Sequence, residues 1–350
     1  MNEKSVYRVL LVVRWPVGGI RTFLKYVTSF FPSDRYEFSI VTVNSVGVSD
    51  LMQDLSHVIR YWKIVEVDDN VLKKFHSAVT SEIKNNDYDL VHAHGFTSLV
   101  FSILGKFFSD TPLVFTSHDV LSSLQFSGFK GSLKKLLLAY AIKQCDIIHS
   151  VSFDAERNLR SFFPFIRDGS SNVIINGVDS ELFFRSARLD LNAMFDIAED
   201  KIIVGFFGRF MSQKGFVYLI EALEMLLRKE GEARFHIVCF GSGAFLREEK
   251  AAIANRKLSE FFTFSPFIPE VSAAIKGCDV IAMPSLWEAC PLQPMEALCS
   301  GVPFVGTDCV GLREVLAGTP AVMVKSGDAK SLAEGILQCV KKGREPFEEY

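Results

Sequence analysis

The chain of 350 residues has no Cys-x-x-Cys pair, no Gly-x-Gly-x-x-Gly loop, no block of like charge and no apolar run long enough to span a bilayer. Each absence removes a class of protein. Seven cysteines, at 145, 239, 278, 290, 299, 309 and 339, stand apart and several fall in apolar runs, which fits reduced thiols better than a disulfide framework or a zinc site. The missing dinucleotide loop, with no lone acid at the tip of the second strand, disfavours an NAD enzyme. A formal charge of −3, spread evenly, argues against a nucleic-acid partner. Met1 to Tyr7 is polar and leads straight into an apolar strand, so no signal peptide is read there. With no run of ~18 apolar residues, the expectation is a cytoplasmic protein that at most lies on the inner face of a membrane.

What is present is an alternation of apolar runs with helical stretches, in a chain long enough for two domains. Tyr7 to Val13, Glu37 to Val43, Lys63 to Val67, Leu90 to Ala93, Leu113 to Thr116, Ile147 to Val151 and Val173 to Ile175 read as strands. Helices are expected between several of them, as over Val71 to Lys84 and Leu133 to Gln144. A polar, acidic stretch runs from Asn176 to Asp200, and a second series follows: Ile202 to Phe207, Phe235 to Phe240, Phe261 to Phe264, Val280 to Met283, Pro303 to Gly306 and Ala321 to Val324. The pattern predicts an α/β protein of two Rossmann-like, doubly wound parallel-sheet domains, residues 1–185 and 186–350, facing a cleft.

In such sheets ligands gather beyond the carboxyl ends of the strands, which singles out five loops and strand ends. Gly18 and Gly19 stand between the first strand and first helix, where a glycine pair either offers backbone N–H groups to an anion or is only a turn. Arg209 and Lys214 occupy the equivalent loop of the second domain; a guanidinium fork and an ammonium five residues apart suit a diphosphate, and solvated surface cations are the plain alternative. Glu288 lies in the loop after Val280 to Met283, and Pro294 opens a helix that places Glu296 in its first turn. Two carboxylates there can accept hydrogen bonds from sugar or ribose hydroxyls, although Glu296 is also well placed to stabilise the helix dipole. His92 and His94 alternate along one strand end, and His118 closes the next. Asp87-Tyr88-Asp89 has the form of a metal-binding pair but precedes its strand, at the wrong edge, and reads as a solvated loop; no metal site is expected. Phe129 to Gln144 mixes Lys130, Lys134, Lys135 and Lys143 with leucines, either an ordinary α/β helix or one that makes peripheral contact with an anionic membrane.

Taken together these stretches resemble the retaining glycosyltransferases of the GT-B fold, most closely family 4 (glycosyl transferases group 1). Glu288 and Glu296, separated by seven residues, carry the resemblance, with Gly208-Arg209, Lys214-Gly215, Asn176-Gly177-Val178-Asp179, Val151-Ser152 and Thr116-Ser117-His118-Asp119. The resemblance implies a metal-independent, retaining hexosyltransferase without a cofactor. Its substrates would be a nucleotide-diphosphate sugar, UDP-sugar ahead of GDP-sugar, and a glycan or lipid-linked acceptor in cell-surface polysaccharide synthesis. Carried over, Arg209 and Lys214 hold the diphosphate, Glu288 binds donor sugar hydroxyls beside the N–H of Leu292, and Glu296 binds the ribose. Gly18 and Gly19 approach the phosphates or sugar, His118 faces the reacting sugar, and Gly241, Phe267 and Ile268 frame the base. Cys290-Pro291 departs from the family's usual Phe-Gly and removes one N–H donor. Members usually finish with a further helix that crosses back onto the first domain, whereas this chain stops at Tyr350 soon after a helix expected over Leu332 to Lys342. The competing readings are a catalytically silent GT-B protein that binds a sugar nucleotide or partner, and a sugar-nucleotide epimerase.

Overall fold

The computed structural model describes residues 6–230, 234–265 and 270–350. The chain divides between Gly177 and Val178 into two units. That division lies N-terminal to the 185/186 boundary expected from composition. The reason is local: Asp179 caps the short helix after it, accepting the Leu182 N–H at 3.2 Å, and this helix packs within the second unit.

The first unit runs β1 (Tyr7–Val13), α1 (Gly19–Thr28), β2 (Tyr36–Val43), α2 (Val48–Leu55), β3 (Ile59–Val65), α3 (Val71–Asn85) and β4 (Leu90–His94). It continues α4 (Phe96–Lys106), β5 (Leu113–Ser117), α5 (Gly128–Lys143), β6 (Ile147–Ser150), α6 (Phe153–Phe162) and β7 (Ser171–Val173). Its sheet is wholly parallel, in the order β3-β2-β1-β4-β5-β6-β7. Both faces are covered, so the strands need apolar residues on both sides and read as continuous runs. Alternation still sorts them: Leu10 and Val12 pack with Phe75 of α3, Leu99 of α4 and Leu138 of α5. Val9, Leu11 and Val13 pack instead with Phe23 and Leu24 of α1 and Leu51 of α2.

The second unit runs α7 (Ser180–Arg185), α8 (Leu191–Phe195), β8 (Ile202–Phe207), α9 (Phe216–Glu230), β9 (Phe235–Phe240), α10 (Leu246–Asn255), β10 (Phe262–Ser265) and α11 (Val271–Gly277). Then come β11 (Val280–Met283), α12 (Gln293–Cys299), β12 (Phe304–Thr307), α13 (Leu312–Leu316), β13 (Val322–Val324), α14 (Ala329–Lys342) and α15 (Glu345–Glu348). The sheet order is β10-β9-β8-β11-β12-β13, again all parallel. Its core joins Val204 and Phe206 to Phe216 and Leu219 of α9 and Leu332 and Ile336 of α14. The terminal α15 docks on this unit, with Phe347 buried and Arg344 donating to the carbonyls of Lys276, at 2.9 Å, and Cys278.

One device recurs at the amino edges. Asp89, Asp146 and Asp279 each precede a strand, and each accepts a backbone N–H from the start of the neighbouring strand, Arg8, Leu113 and Ile203 respectively, all at 2.8 Å. Asp89 is therefore a sheet-edge clamp and not part of a freely solvated loop, since strand ends leave N–H groups that need an acceptor.

Candidate active site

In each sheet the chain steps outward for three strands and then returns, so β4 lies beside β1 and β11 beside β8. Loops leaving the carboxyl ends of such neighbouring strands emerge side by side at the point where the strand order reverses.

In the second unit these loops carry Lys214 and Glu288. After β8 the chain makes a single tight turn over Ser212–Lys214 and then adopts a left-handed conformation at Gly215, φ +60°. A Cβ there would stand 2.2 Å from the carbonyl oxygen of Pro284, so glycine is what lets the two loops close on each other. Gln213 fastens them: its carbonyl accepts the Leu286 N–H at 2.8 Å and its side-chain amide donates to the Trp287 carbonyl at 2.7 Å. Lys214 Nζ then meets Glu288 Oε1 at 2.6 Å, and the buried Ser285 hydroxyl donates to the same oxygen at 2.6 Å. The Glu288 backbone is fixed as well, its N–H bonded to the Val310 carbonyl at 3.0 Å.

Burial explains this pairing. A nearly buried carboxylate is costly unless a cation and hydrogen bonds accompany it, and Glu288 has both. Arg209, five residues before Lys214, is by contrast exposed and makes no ion pair among the described residues. The loop thus offers one free guanidinium fork and one ammonium with N–H donors to spare, beside a carboxylate that can still accept from hydroxyls. Glu296 is half-buried in the first turn of α12, and Leu292, its N-cap, accepts the Glu296 N–H at 3.0 Å. Gly241 opens the loop after β9 and donates to the Ser265 carbonyl at 3.1 Å. Phe267 and Ile268 lie outside the described residues. Gln213 and Ser285 were not singled out in the sequence, where a glutamine beside a lysine and a serine after a proline carry no distinctive signal.

In the first unit Gly18 is the N-cap of α1, with φ +59° and no side chain capping the helix, and Gly19 has open space where a Cβ would be. The carboxyl ends of β4 and β6 and the loop after β5 bring four imidazoles together, three of them around the ring of Phe23, which lies 5.8, 5.0 and 6.0 Å from His94, His118 and His149. His92 and His94 do share a face, their rings 4.1 Å apart. His94 is buried, however, and does not itself line an open surface; its Nδ1 lies 3.1 Å from Nε2 of the partly exposed His118.

The hydrogen-bond partners set the tautomers. His149 Nε2 must donate to the Ile174 carbonyl at 3.0 Å, so its Nδ1 accepts from the Thr116 hydroxyl at 3.1 Å. Thr116 in turn accepts from His92 Nε2 at 2.6 Å. His94 Nε2 is buried without a partner, and a bare lone pair is tolerated there better than a stranded N–H. His94 therefore donates from Nδ1 to His118 Nε2 and leaves the His118 proton on Nδ1. Burial holds the rings neutral, lowering His92 and His118 to about 3 and His94 well below its ordinary value; neighbouring imidazoles push the same way. His149 was not anticipated, although a histidine one residue from the end of an apolar strand is the same signal that drew attention to His92. Among the described residues no group of three or more His, Cys, Asp or Glu side chains converges as a metal site, and all seven cysteines are free.

Two neighbouring loops that join a lysine to a carboxylate at the carboxyl edge of one Rossmann-like sheet, with a second such sheet in the same chain, fit a GT-B protein. The profile of glycosyl transferases group 1 matches residues 190–350, and that of glycosyltransferase family 4 matches residues 17–182. The chain belongs to this group 1 family of glycosyltransferases. Among its relatives is EpsF of Bacillus subtilis, provisionally described as a glycosyltransferase, which is 26% identical over 318 residues, spanning 88% of this chain and 80% of the relative. The O-antigen biosynthesis glycosyltransferase WclY of Escherichia coli is 21% identical over 75% of each chain. Among solved structures, Anabaena Alr3699/HepE in complex with UDP and glucose superposes with a TM-score of 0.81 at 19% identity, covering 98% of this chain and 93% of that one. Sucrose-phosphate synthase from Thermosynechococcus elongatus gives 0.76 at 19% identity, over 98% and 94%.

Proposed function

We propose that the protein transfers a hexosyl group, with retention of configuration and without a metal, from a nucleotide-diphosphate sugar to a glycan or lipid-linked acceptor in cell-surface polysaccharide synthesis. The observation that carries this reading is the loop pair of β8 and β11, where Lys214 meets Glu288 and Arg209 stands exposed in the same loop as Lys214. The bond that breaks joins the anomeric carbon to the diphosphate oxygen, and negative charge grows on the departing diphosphate. Arg209 and Lys214 offset that charge, the task a metal performs elsewhere. Glu288 accepts from donor sugar hydroxyls and Glu296 from the ribose, while the acceptor is assigned to the first unit. His118 presents a neutral N–H donor, since its other nitrogen is engaged by His94. A UDP-sugar is favoured because HepE was solved with UDP and with UDP-glucose. The polysaccharide role draws on relatives such as WclY, named for O-antigen biosynthesis.

The test follows donor hydrolysis in EDTA by proton NMR, reading the first-formed sugar before it mutarotates. Release of the sugar in the donor's own anomeric configuration is expected. The inverted anomer, or cleavage only after a divalent cation is restored, would overturn the retaining or the metal-independent part respectively.

A further inference from the structure

Helix α5 is apolar on two opposite sides. Leu138, Ala141 and Ile142 face the core. Leu133, Leu136, Leu137 and Tyr140, at helical spacing i, i+3, i+4 and i+7, form a second stripe that is 59, 68, 50 and 45% exposed, and Phe129, one turn earlier, is 86% exposed. A soluble α/β helix keeps one apolar side, so the outer stripe has no role in the fold. The surface continues inward: an apolar cavity of about 490 Å³ opens between α3, α4 and α5, lined by Leu72, Phe101 and Leu104 and by the stripe's own Leu137 and Tyr140.

Charge says what covers this face. Lys130 and Lys143 flank the stripe, with Lys134 and Lys135 further round the helix; neither α5 nor α4 contains an acidic residue, and none of the four lysines has an ion-pair partner among the described residues. Lys134 and Lys135 hold their ammonium groups over Phe126, at 5.7 and 5.9 Å, and Lys143 over Phe165, at 4.8 Å, cation–π contacts that leave the positive charge uncompensated. Leucines between lysines match the boundary of an anionic bilayer, acyl chains below and phosphates above. We infer that the α3/α4/α5 face docks on an anionic phospholipid bilayer, inserting the α5 stripe and admitting an acyl chain to the cavity it shares. Helix α5 starts from the carboxyl edge of the sheet, where His118 follows β5, so docking sets that edge close to the lipid surface. The inference concerns the face alone and does not depend on sugar transfer.

Co-sedimentation tests it, using vesicles of equal parts phosphatidylcholine and phosphatidylglycerol against pure phosphatidylcholine. The wild type is expected to pellet with the anionic vesicles, less so at high salt, and to remain in the supernatant with the neutral ones. Leu133→Glu/Leu136→Glu, two exposed positions, should lower the bound fraction on the order of tenfold or more with unchanged thermal unfolding, and Lys130→Glu should lower it less. A wild type that ignores anionic vesicles, a double variant that binds as well, or equal binding to neutral vesicles would each overturn the inference. So would self-association through the stripe in the absence of lipid, seen as a dimer that the double variant abolishes.

Discussion

Lys214 and Glu288 come from loops 74 residues apart and meet at 2.6 Å, so the cation assigned to the diphosphate and the carboxylate assigned to the sugar form one unit. Breaking such a pair strands a nearly buried charge, typically at a cost of about 3 kcal/mol or more. Lys214→Ala is therefore expected to lower the urea midpoint of the second unit, while Lys214→Ala/Glu288→Gln regains part of that loss. An unchanged midpoint in the single variant would show that the pair does not hold the loops.

Arg209 separates binding from stability. Being exposed and without an ion-pair partner among the described residues, it can be removed without stranding a buried charge there. Arg209→Ala should keep the wild-type unfolding midpoint, bind UDP more weakly by calorimetry and slow donor cleavage on the order of 100-fold.

Gly311 supports Glu288 from a third loop, at φ +79°, and a Cβ there would lie 2.1 Å from the Glu288 carbonyl oxygen. Gly311→Ala should destabilise the second unit by about 1–3 kcal/mol and weaken donor binding with it. Denaturation and calorimetry on one preparation check both.

The imidazole cluster makes a pH prediction. His92 and His118 are lowered to about 3, so they stay neutral in the folded protein where an unfolded chain takes up protons near its ordinary value. Below that value the unfolded state binds more protons than the native one; stability is full above it and falls as the pH drops towards the folded value. The urea midpoint of the first unit should decline between about pH 7 and about pH 5. Nitrogen NMR should show His118 protonated on Nδ1 and His92 and His149 on Nε2, with no titration in that range. Imidazoles that titrate near neutrality would contradict the assignment.

Sequence pattern carried most of the fold, because parallel strands covered on both faces write themselves as unbroken apolar runs. Tyr7–Val13, Ile202–Phe207 and Phe235–Phe240 were legible to the residue. Misses fell where that logic weakens. β3 is an edge strand whose Arg60 and Lys63 break the run, so it was expected at Lys63 to Val67 and lies at Ile59–Val65. Ile174 and Ile175 look like strand residues, yet both are exposed and the carbonyl of Ile174 is taken by His149; β7 ends at Val173. Helix α5, Gly128–Lys143, falls within a residue of the stretch Phe129 to Gln144 read from its lysines and leucines; Gly131 inside it permits close packing, a Cβ there lying 2.3 Å from the Phe126 backbone.

Of the site, the residue types and their edge of the sheet were legible, and their partners were not. Nothing in the spacing from Lys214 to Glu288 announces an ion pair; it arises because β8 and β11 are neighbours at the reversal of strand order. The same holds for His94, whose place at a strand end was legible but whose role as the buried support of His118 was not.

The most direct test mixes the protein, in EDTA, with UDP-, GDP- and ADP-sugars and follows binding and slow cleavage by NMR, with Lys214→Ala as the paired variant and its fold checked by circular dichroism. The account predicts that one sugar nucleotide, a UDP-sugar first, binds and is cleaved by the wild type and that cleavage is lost in the variant. No sugar nucleotide bound by the wild type, or equal cleavage by a folded Lys214→Ala protein, would contradict it.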